Sequence, residues 1–184
     1  MKTIYFITGN EGKVAELQEK IRKKKFTILQ KDLGYPEIQA ESLEDVALYG
    51  AEYLQQHLNR PFILEDAGIF IEELDGFPGV YSKFVYFTIG LQGILTLMKD
   101  TTNRTAIFRS VYAYAEPDKK PILFIGECPG TITTKQKGTQ GFGYDPIFQP
   151  TAKATTFAEM TLETKNTVSH RGKAIDNLIQ YLEK

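Results

Sequence analysis

Short unbroken apolar runs alternate with helix-period stripes through the first third of the chain, and longer apolar segments dominate the second half. Ile4 to Ile7 has the pattern of a buried strand, which Thr8-Gly9-Asn10 breaks. A helix is expected from about Asn10, a good N-cap residue, with Val14, Leu17 and Ile21 along one face. Arg22-Lys23-Lys24-Lys25 closes it as a solvated cationic end. Phe26 to Gln30 gives a second strand, and the acidic loop Pro36-Glu37-Ile38-Gln39-Ala40-Glu41 follows. Ser42 with Asp45 then has the wider serine-x-x-acid capping pattern. Behind it Leu43, Val46, Ala47, Gly50, Ala51, Leu54 and Leu58 recur at helical spacing until Asn59-Arg60-Pro61 ends the stripe. Phe62-Ile63-Leu64 is a short buried strand that runs directly into Glu65-Asp66.

Further on, Gly76-Phe77-Pro78-Gly79 marks a turn, and Leu91, Ile94, Leu95 and Met98 predict a helix over about 91–99. Two longer strands, about 104–115 and 121–128, form a hairpin around Glu116-Pro117-Asp118, with Thr131 to Thr134 extending the strand region. The stretch from Gly138 to Pro150 is glycine-rich and aromatic, and Ile175, Leu178, Ile179 and Leu182 place a last helix over about 172–182. Early alternation of strand and helix, followed by strand next to strand, predicts an α/β protein with a mixed sheet.

Composition narrows the function without choosing it. At 184 residues, 42% hydrophobic and 24% charged, the chain suits one globular domain, taken as 1–184. A formal net charge of −1 gives no broad positive field for nucleic acid, so a bound polyanion must be small and held locally. No apolar run approaches the ~20 residues of a membrane span, and the first residues lack signal-peptide architecture, so a cytoplasmic location is expected. Cys128 is the only cysteine, which rules out an intramolecular disulfide.

Three groups of residues have the right chemistry for a site. Thr8-Gly9-Asn10-Glu11-Gly12-Lys13 lies between strand and helix, where backbone N–H groups and a lysine make a phosphate cradle. It is not a Walker A loop: two residues separate Gly9 from Gly12, and Val14 follows Lys13. An ordinary strand–helix turn explains it equally well. Glu65-Asp66 follows a buried strand, and ligands of open α/β sheets collect at strand carboxyl ends. If that strand and the first are parallel neighbours, Asp66 shares a crevice with Lys13 and can bind Mg²⁺, activate water, or both, with Glu37 or Glu41 as a second carboxylate. For any single acid, a solvated loop position is the plainer explanation. The third group is Gly141-Phe142-Gly143-Tyr144-Asp145-Pro146 with Lys165-Asn166 and Ser169-His170-Arg171. Phe142 is free to stack on a base, and Lys165, His170 and Arg171 suit base carbonyls or phosphate. The alternative is a glycine-rich turn and a helix capped by Ser169, with His170 on the surface.

Taken together, these stretches resemble the inosine triphosphate pyrophosphatase family, also called Ham1 or RdgB-like, over essentially the whole chain. Pro36-Glu37, Glu65-Asp66-Ala67-Gly68 and Phe77-Pro78-Gly79-Val80-Tyr81-Ser82 join the loops above in the family's order. The resemblance implies a mixed twisted sheet in an elongated, two-lobed Maf/Ham1-like architecture with a central nucleotide cleft, and a homodimer. It implies Mg²⁺-dependent hydrolysis of ITP, dITP and XTP to monophosphate and pyrophosphate. By the same resemblance, Thr8, Gly9, Asn10, Glu11, Gly12 and Lys13 hold the triphosphate, and Asp66 is the catalytic base and a metal contact. Glu37 is the other metal ligand, with Glu41 its substitute, and Lys83 is a substrate lysine. Phe142, Gly143, Tyr144 and Asp145 form the base and sugar pocket, and Lys165, His170 and Arg171 read the purine. Ala67 stands where many members have Ser or Thr, a loss of ~0.5–1.5 kcal/mol if that hydroxyl binds phosphate. Lys165 and Arg171 only donate, so they favour a C6 carbonyl over the adenine amino group, but they do not by themselves exclude guanine. A Maf-like pyrophosphatase acting on other modified nucleotides and a non-catalytic nucleotide-binding module are the competing readings. The Phe142 and Ser169-His170-Arg171 motifs argue against the first, and the set Lys13, Glu37 and Asp66 against the second.

Overall fold

The computed structural model describes residues 2–184. One six-stranded sheet runs through them in the order β2-β1-β3-β4-β5-β6. Its strands are β1 (Lys2–Ile7), β2 (Phe26–Lys31), β3 (Phe62–Ile71), β4 (Thr105–Ala115), β5 (Ile122–Ile132) and β6 (Phe148–Pro150). β1 pairs in parallel with β2 and β3, and all later pairings are antiparallel. The mixed sheet and the parallel pairing of β1 with β3 therefore match the sequence pattern. The helices are α1 (Glu11–Ile21), α2 (Leu43–Gln55), α3 (Ser82–Thr88), α4 (Gly90–Leu97), α5 (Leu162–Val168) and α6 (His170–Leu182). None is long and apolar enough to cross a membrane.

β3 departs from expectation in a way that matters. It does not stop at Leu64 but continues to Ile71, paired with β4 from Phe62↔Ala115 to Ile71↔Ala106. β1, by contrast, ends at Ile7, opposite Leu64. Glu65 and Asp66 are therefore mid-strand residues just beyond the point where their parallel neighbour ends, not loop residues after a strand.

Alternation along β3 then decides where each side chain goes. Ile63 joins Ile4, Phe6, Val14, Leu17, Tyr112, Ile175 and Leu178 in the core under α1 and α6. Leu64 joins Ile7, Leu43, Ala47, Ala51, Leu54 and Val111 in the core under α2. Glu65 follows Ile63 to the α1/α6 face, and Asp66 follows Leu64 to the α2 face. A third core, with Ile69, Ile71, Val85, Ile94, Met98, Phe108, Phe148 and Phe157, fills the far end beneath α3 and α4.

Two short helices were absent from the sequence pattern. α3 is built from Ser82-Lys83-Phe84-Val85-Tyr86-Phe87-Thr88, and α5 from Leu162-Glu163-Thr164-Lys165-Asn166-Thr167-Val168. Both are rich in aromatic, β-branched or small polar residues of weak helix propensity. α6 starts at His170, two residues earlier than expected, because Ser169 caps it by accepting from the Gly172 N–H at 3.0 Å. α6 lies so close to β5 that a Cβ on Gly126 would sit 2.1 Å from the His170 carbonyl oxygen and 2.4 Å from the Ala174 nitrogen. Gly126→Ala is therefore expected to cost at least about 1–3 kcal/mol, because backbone must move. Urea unfolding measures it, and it should also displace the start of α6.

Candidate active site

The turn from β1 into α1 is closed by its own polar groups. The Asn10 side chain caps α1 by accepting from Lys13 N–H at 3.1 Å, and Asn10 N–H donates to Thr8 Oγ1 at 3.1 Å. Gly9 and Asn10 are exposed, and Gly12 and Lys13 half-buried, so the first turn of the helix is open to a ligand. Lys13 Nζ reaches across to β3, 2.7 Å from Glu65 Oε2, and donates to the Glu65 carbonyl at 2.9 Å. Lys13 and the Asp66 region thus meet where β1 stops and β3 goes on.

Asp66 is placed to carry a proton. Burial pushes its carboxyl up to about 6 against the pull of Lys13, with Glu65 and Glu37 adding to the rise. The Ala67 N–H donates to its Oδ1 at 3.0 Å, so the amide beside the missing hydroxyl holds the aspartate. Glu37 is exposed in the loop before α2, paired with exposed Lys83 of α3 at 2.8 Å. Burial first, then the charges of Asp66, Glu37 and Glu65, raise the half-buried Tyr35 phenol. Glu41 is exposed one residue before the Ser42 cap. Among the described residues no three His, Cys, Asp or Glu side chains gather as a metal site. Asp66 and Glu37 nevertheless offer hard oxygens that act on each other, the donor set Mg²⁺ takes when phosphates and water complete its shell.

Beneath α1 and α6 lies a buried charge network that the sequence motifs only partly anticipate. Lys165 Nζ pairs with Glu16 Oε1 at 2.7 Å and with Asp145. Arg171 donates from Nη1 to Glu16 Oε2 at 2.8 Å and from Nε to Glu65 Oε1 at 3.1 Å. Ser110 Oγ donates to the same Glu65 oxygen at 2.6 Å. Burial disfavours the charged form of Glu65, yet Arg171 and Lys13 hold its carboxyl down at about 2. Burial likewise opposes Glu16, and Arg171 and Lys165 overcome it. Asp145 goes the other way: burial raises it despite Lys165.

Glu16 is the member no motif pointed to. It sits between Val14 and Leu17 on the buried face of α1, where a charge among apolar neighbours looks like an ordinary surface position. The one signal was its three-residue spacing from Lys13, which places both on one face of the helix.

The other expected residues are distributed unevenly. Phe142, flanked by Gly141 and Gly143 at positive φ, lies over the cations, 4.9 Å from Lys165 Nζ and 5.2 Å from Arg171 Cζ. Its ring also lies against α1, since a Cβ on Gly12 would fall 2.4 Å from it. Asp145 accepts from the Phe142 N–H at 2.8 Å, which fixes the glycine turn. Tyr144 is a core residue in this structure, its hydroxyl donating to the Ser82 carbonyl at 2.7 Å and its ring packed on Tyr86 and Phe108. His170 is not on the surface: it is 2% exposed and stacked on Phe108 at 4.4 Å. Burial, then the nearby cations, depress its basicity, so the imidazole is neutral. Cys128 is buried, which pushes its thiol up to about 11 and makes it a poor nucleophile. A surface cavity of about 440 Å³ near α4 is lined by Arg104, whose guanidinium is already bonded to the carbonyls of Met98, Ile132 and Thr133; it lies apart from this chemistry.

Known proteins resemble this chain over nearly its whole length. The Ham1 family model matches residues 4–181. A dITP/XTP pyrophosphatase of Pyrococcus horikoshii is 49% identical over 180 residues, 98% of this chain and 96% of that protein. One from Thermococcus kodakarensis is 48% identical over 179 residues, covering 97% and 96%. The solved structure of the Staphylococcus aureus Ham1 protein superposes with a TM-score of 0.85 at 29% identity, covering 99% of this chain and 98% of that one. A HAM1 protein from Coxiella burnetii gives 0.86 at 29% identity, covering 100% and 99%.

Proposed function

Because this chain belongs to the Ham1 family, we propose that it hydrolyses non-standard purine nucleoside triphosphates (ITP, dITP and XTP) to the monophosphate and pyrophosphate. The observation that carries this reading is the convergence of the α1 N-terminus, Lys13 and Asp66 where β1 ends beside a continuing β3. Thr8 to Lys13 receive the triphosphate, with backbone N–H groups and the Lys13 ammonium facing its charge. Asp66 takes a proton from the water that attacks the α-phosphorus. A Mg²⁺ ion held by Asp66 and Glu37 would neutralise charge on the phosphates, with Glu41 the substitute ligand. Lys83 would release Glu37 and turn to substrate.

Purine recognition falls to Phe142, Lys165, His170 and Arg171. Lys165 already faces two carboxylates and Arg171 spends Nε and Nη1 on two more, so the donor left to a base carbonyl is chiefly Arg171 Nη2, which makes no hydrogen bond among the described residues. A site that presents a donor there leaves it unpaired against adenine and rejects ATP. Phe84 and Phe87, 67% and 77% exposed, with Ile89 and Leu97 beside them, are the face proposed for a homodimer in the cytoplasm.

The test is pyrophosphate release from ITP, dITP, XTP, GTP and ATP, each with Mg²⁺ and with chelator. Metal-dependent release from the first three with ATP inert is expected, and release from ATP at a similar rate contradicts it. Asp66 has its own test. In metal-free protein its carboxyl is expected to titrate near 6, and Mg²⁺ should move that midpoint lower, because a cation favours the charged form. An NMR midpoint that Mg²⁺ leaves unmoved removes Asp66 from the metal site.

A further inference from the structure

Two cations from different helices meet on one strand residue. Lys13 of α1 and Arg171 of α6 both approach Glu65, Lys13 at 2.7 Å from Oε2 and Arg171 Nε at 3.1 Å from Oε1. Glu65 itself has no freedom: it is 3% exposed, lies mid-strand opposite Tyr112 and accepts from Ser110 at 2.6 Å. Its carbonyl accepts a Lys13 N–H at 2.9 Å, and its Oε2 pairs with the same ammonium by charge. With the ammonium held to Glu65 at both points, its remaining donors face a ligand in a fixed direction. Arg171 is held in the same way, with Nε on Glu65, Nη1 on Glu16 and Nη2 left over.

We infer that Glu65 is a positioning residue, whose single carboxylate aims the phosphate-side Lys13 and the base-side Arg171 together and so fixes the two ends of the substrate relative to each other. This rests on the roles proposed above for Lys13 and Arg171. A rigid strand suits such a task better than a loop, because it carries no backbone play into the spacing. Charge alone gives the opposite expectation. If Glu65 were only a background negative charge, removing it would tighten polyanion binding; if it aims Lys13, removing it weakens that binding.

Glu65→Gln separates the two through two readouts on the Mg²⁺-loaded full chain. Calorimetric binding of inorganic tripolyphosphate, which has no base, reads the Lys13 end. The ratio of kcat/KM for ITP to that for ATP reads the Arg171 end. Each is expected to fall about tenfold, the worth of one charge-assisted hydrogen bond. A purely structural role lowers thermal stability and leaves both readouts of the folded protein unchanged. Tighter tripolyphosphate binding, or an unchanged value of either readout, overturns the proposal. If Glu65→Gln does not fold, Ser110→Ala takes one hydrogen bond from the same carboxylate and touches neither cation. It should move both readouts the same way by about threefold, and no movement overturns the proposal. If the wild-type protein itself prefers ATP, the base reading fails, and the tripolyphosphate arm still decides whether Glu65 sets Lys13.

Discussion

Asp66→Asn is expected to lower kcat for ITP by about 10²–10⁴-fold while leaving KM within a few-fold of wild type. The carboxylate, at the junction of β1 and β3, has a proton affinity that suits exchange near neutral pH, since burial, Glu65 and Glu37 together bring it to about 6. Asparagine keeps the shape and can still accept the Ala67 N–H that now meets Oδ1 at 3.0 Å. Proton acceptance, and the negative charge that would help hold Mg²⁺, are what it lacks. The same substitution is expected to raise stability. A carboxyl whose folded-state value is raised favours folding below its unfolded value and loses that contribution as pH climbs through about 6, so at pH 7 the ionised Asp66 is a cost. Removing it should add on the order of 1 kcal/mol at pH 7 in the absence of metal. Urea unfolding beside steady-state kinetics measures both. A variant that is slow because it is unfolded contradicts the assignment.

Glu16→Ala is expected to destabilise the protein by about 3–5 kcal/mol, the cost of leaving buried charges without their partner. Glu16 binds Lys165 through one oxygen at 2.7 Å and Arg171 through the other at 2.8 Å, and all three residues are 3% exposed or less. Without it, two cations face each other across a void, and only Asp145 and Glu65 remain to neutralise them. That is a large share of the ~5–15 kcal/mol by which domains are usually stable. Chemical denaturation at pH 7 measures the loss. A change below about 1 kcal/mol would show that the network relaxes or admits water.

Much of this was legible in the chain. Apolar rhythm located β1, α1, β2, α2, the β4–β5 hairpin and α6, and motif order identified the family. Elsewhere the local signal pointed the wrong way. β3 looked finished at Leu64 because Asp66, Ala67 and Gly68 break the apolar run, yet pairing with β4 carries it on to Ile71. α3 and α5 have weak intrinsic preference and are held by packing, Val85 in the far core and Lys165 in the charge network. Glu16 has no cue beyond its spacing from Lys13, because a charge on an apolar face is explained only by Lys165 and Arg171, some 150 residues away along the chain. Glu65 and Asp66 look like one acidic pair, and only the alternation of a strand sends one to the buried network and the other toward the α2 face.

In the proposed reaction, water attacks the α-phosphorus of a non-standard purine triphosphate at Asp66. Hydrolysis of ITP in H₂¹⁸O, followed by mass analysis of the products, tests it most directly. One ¹⁸O atom should appear in inosine monophosphate and none in pyrophosphate, with Asp66→Asn forming almost no product. Label in pyrophosphate, or release of orthophosphate in place of pyrophosphate, would contradict it.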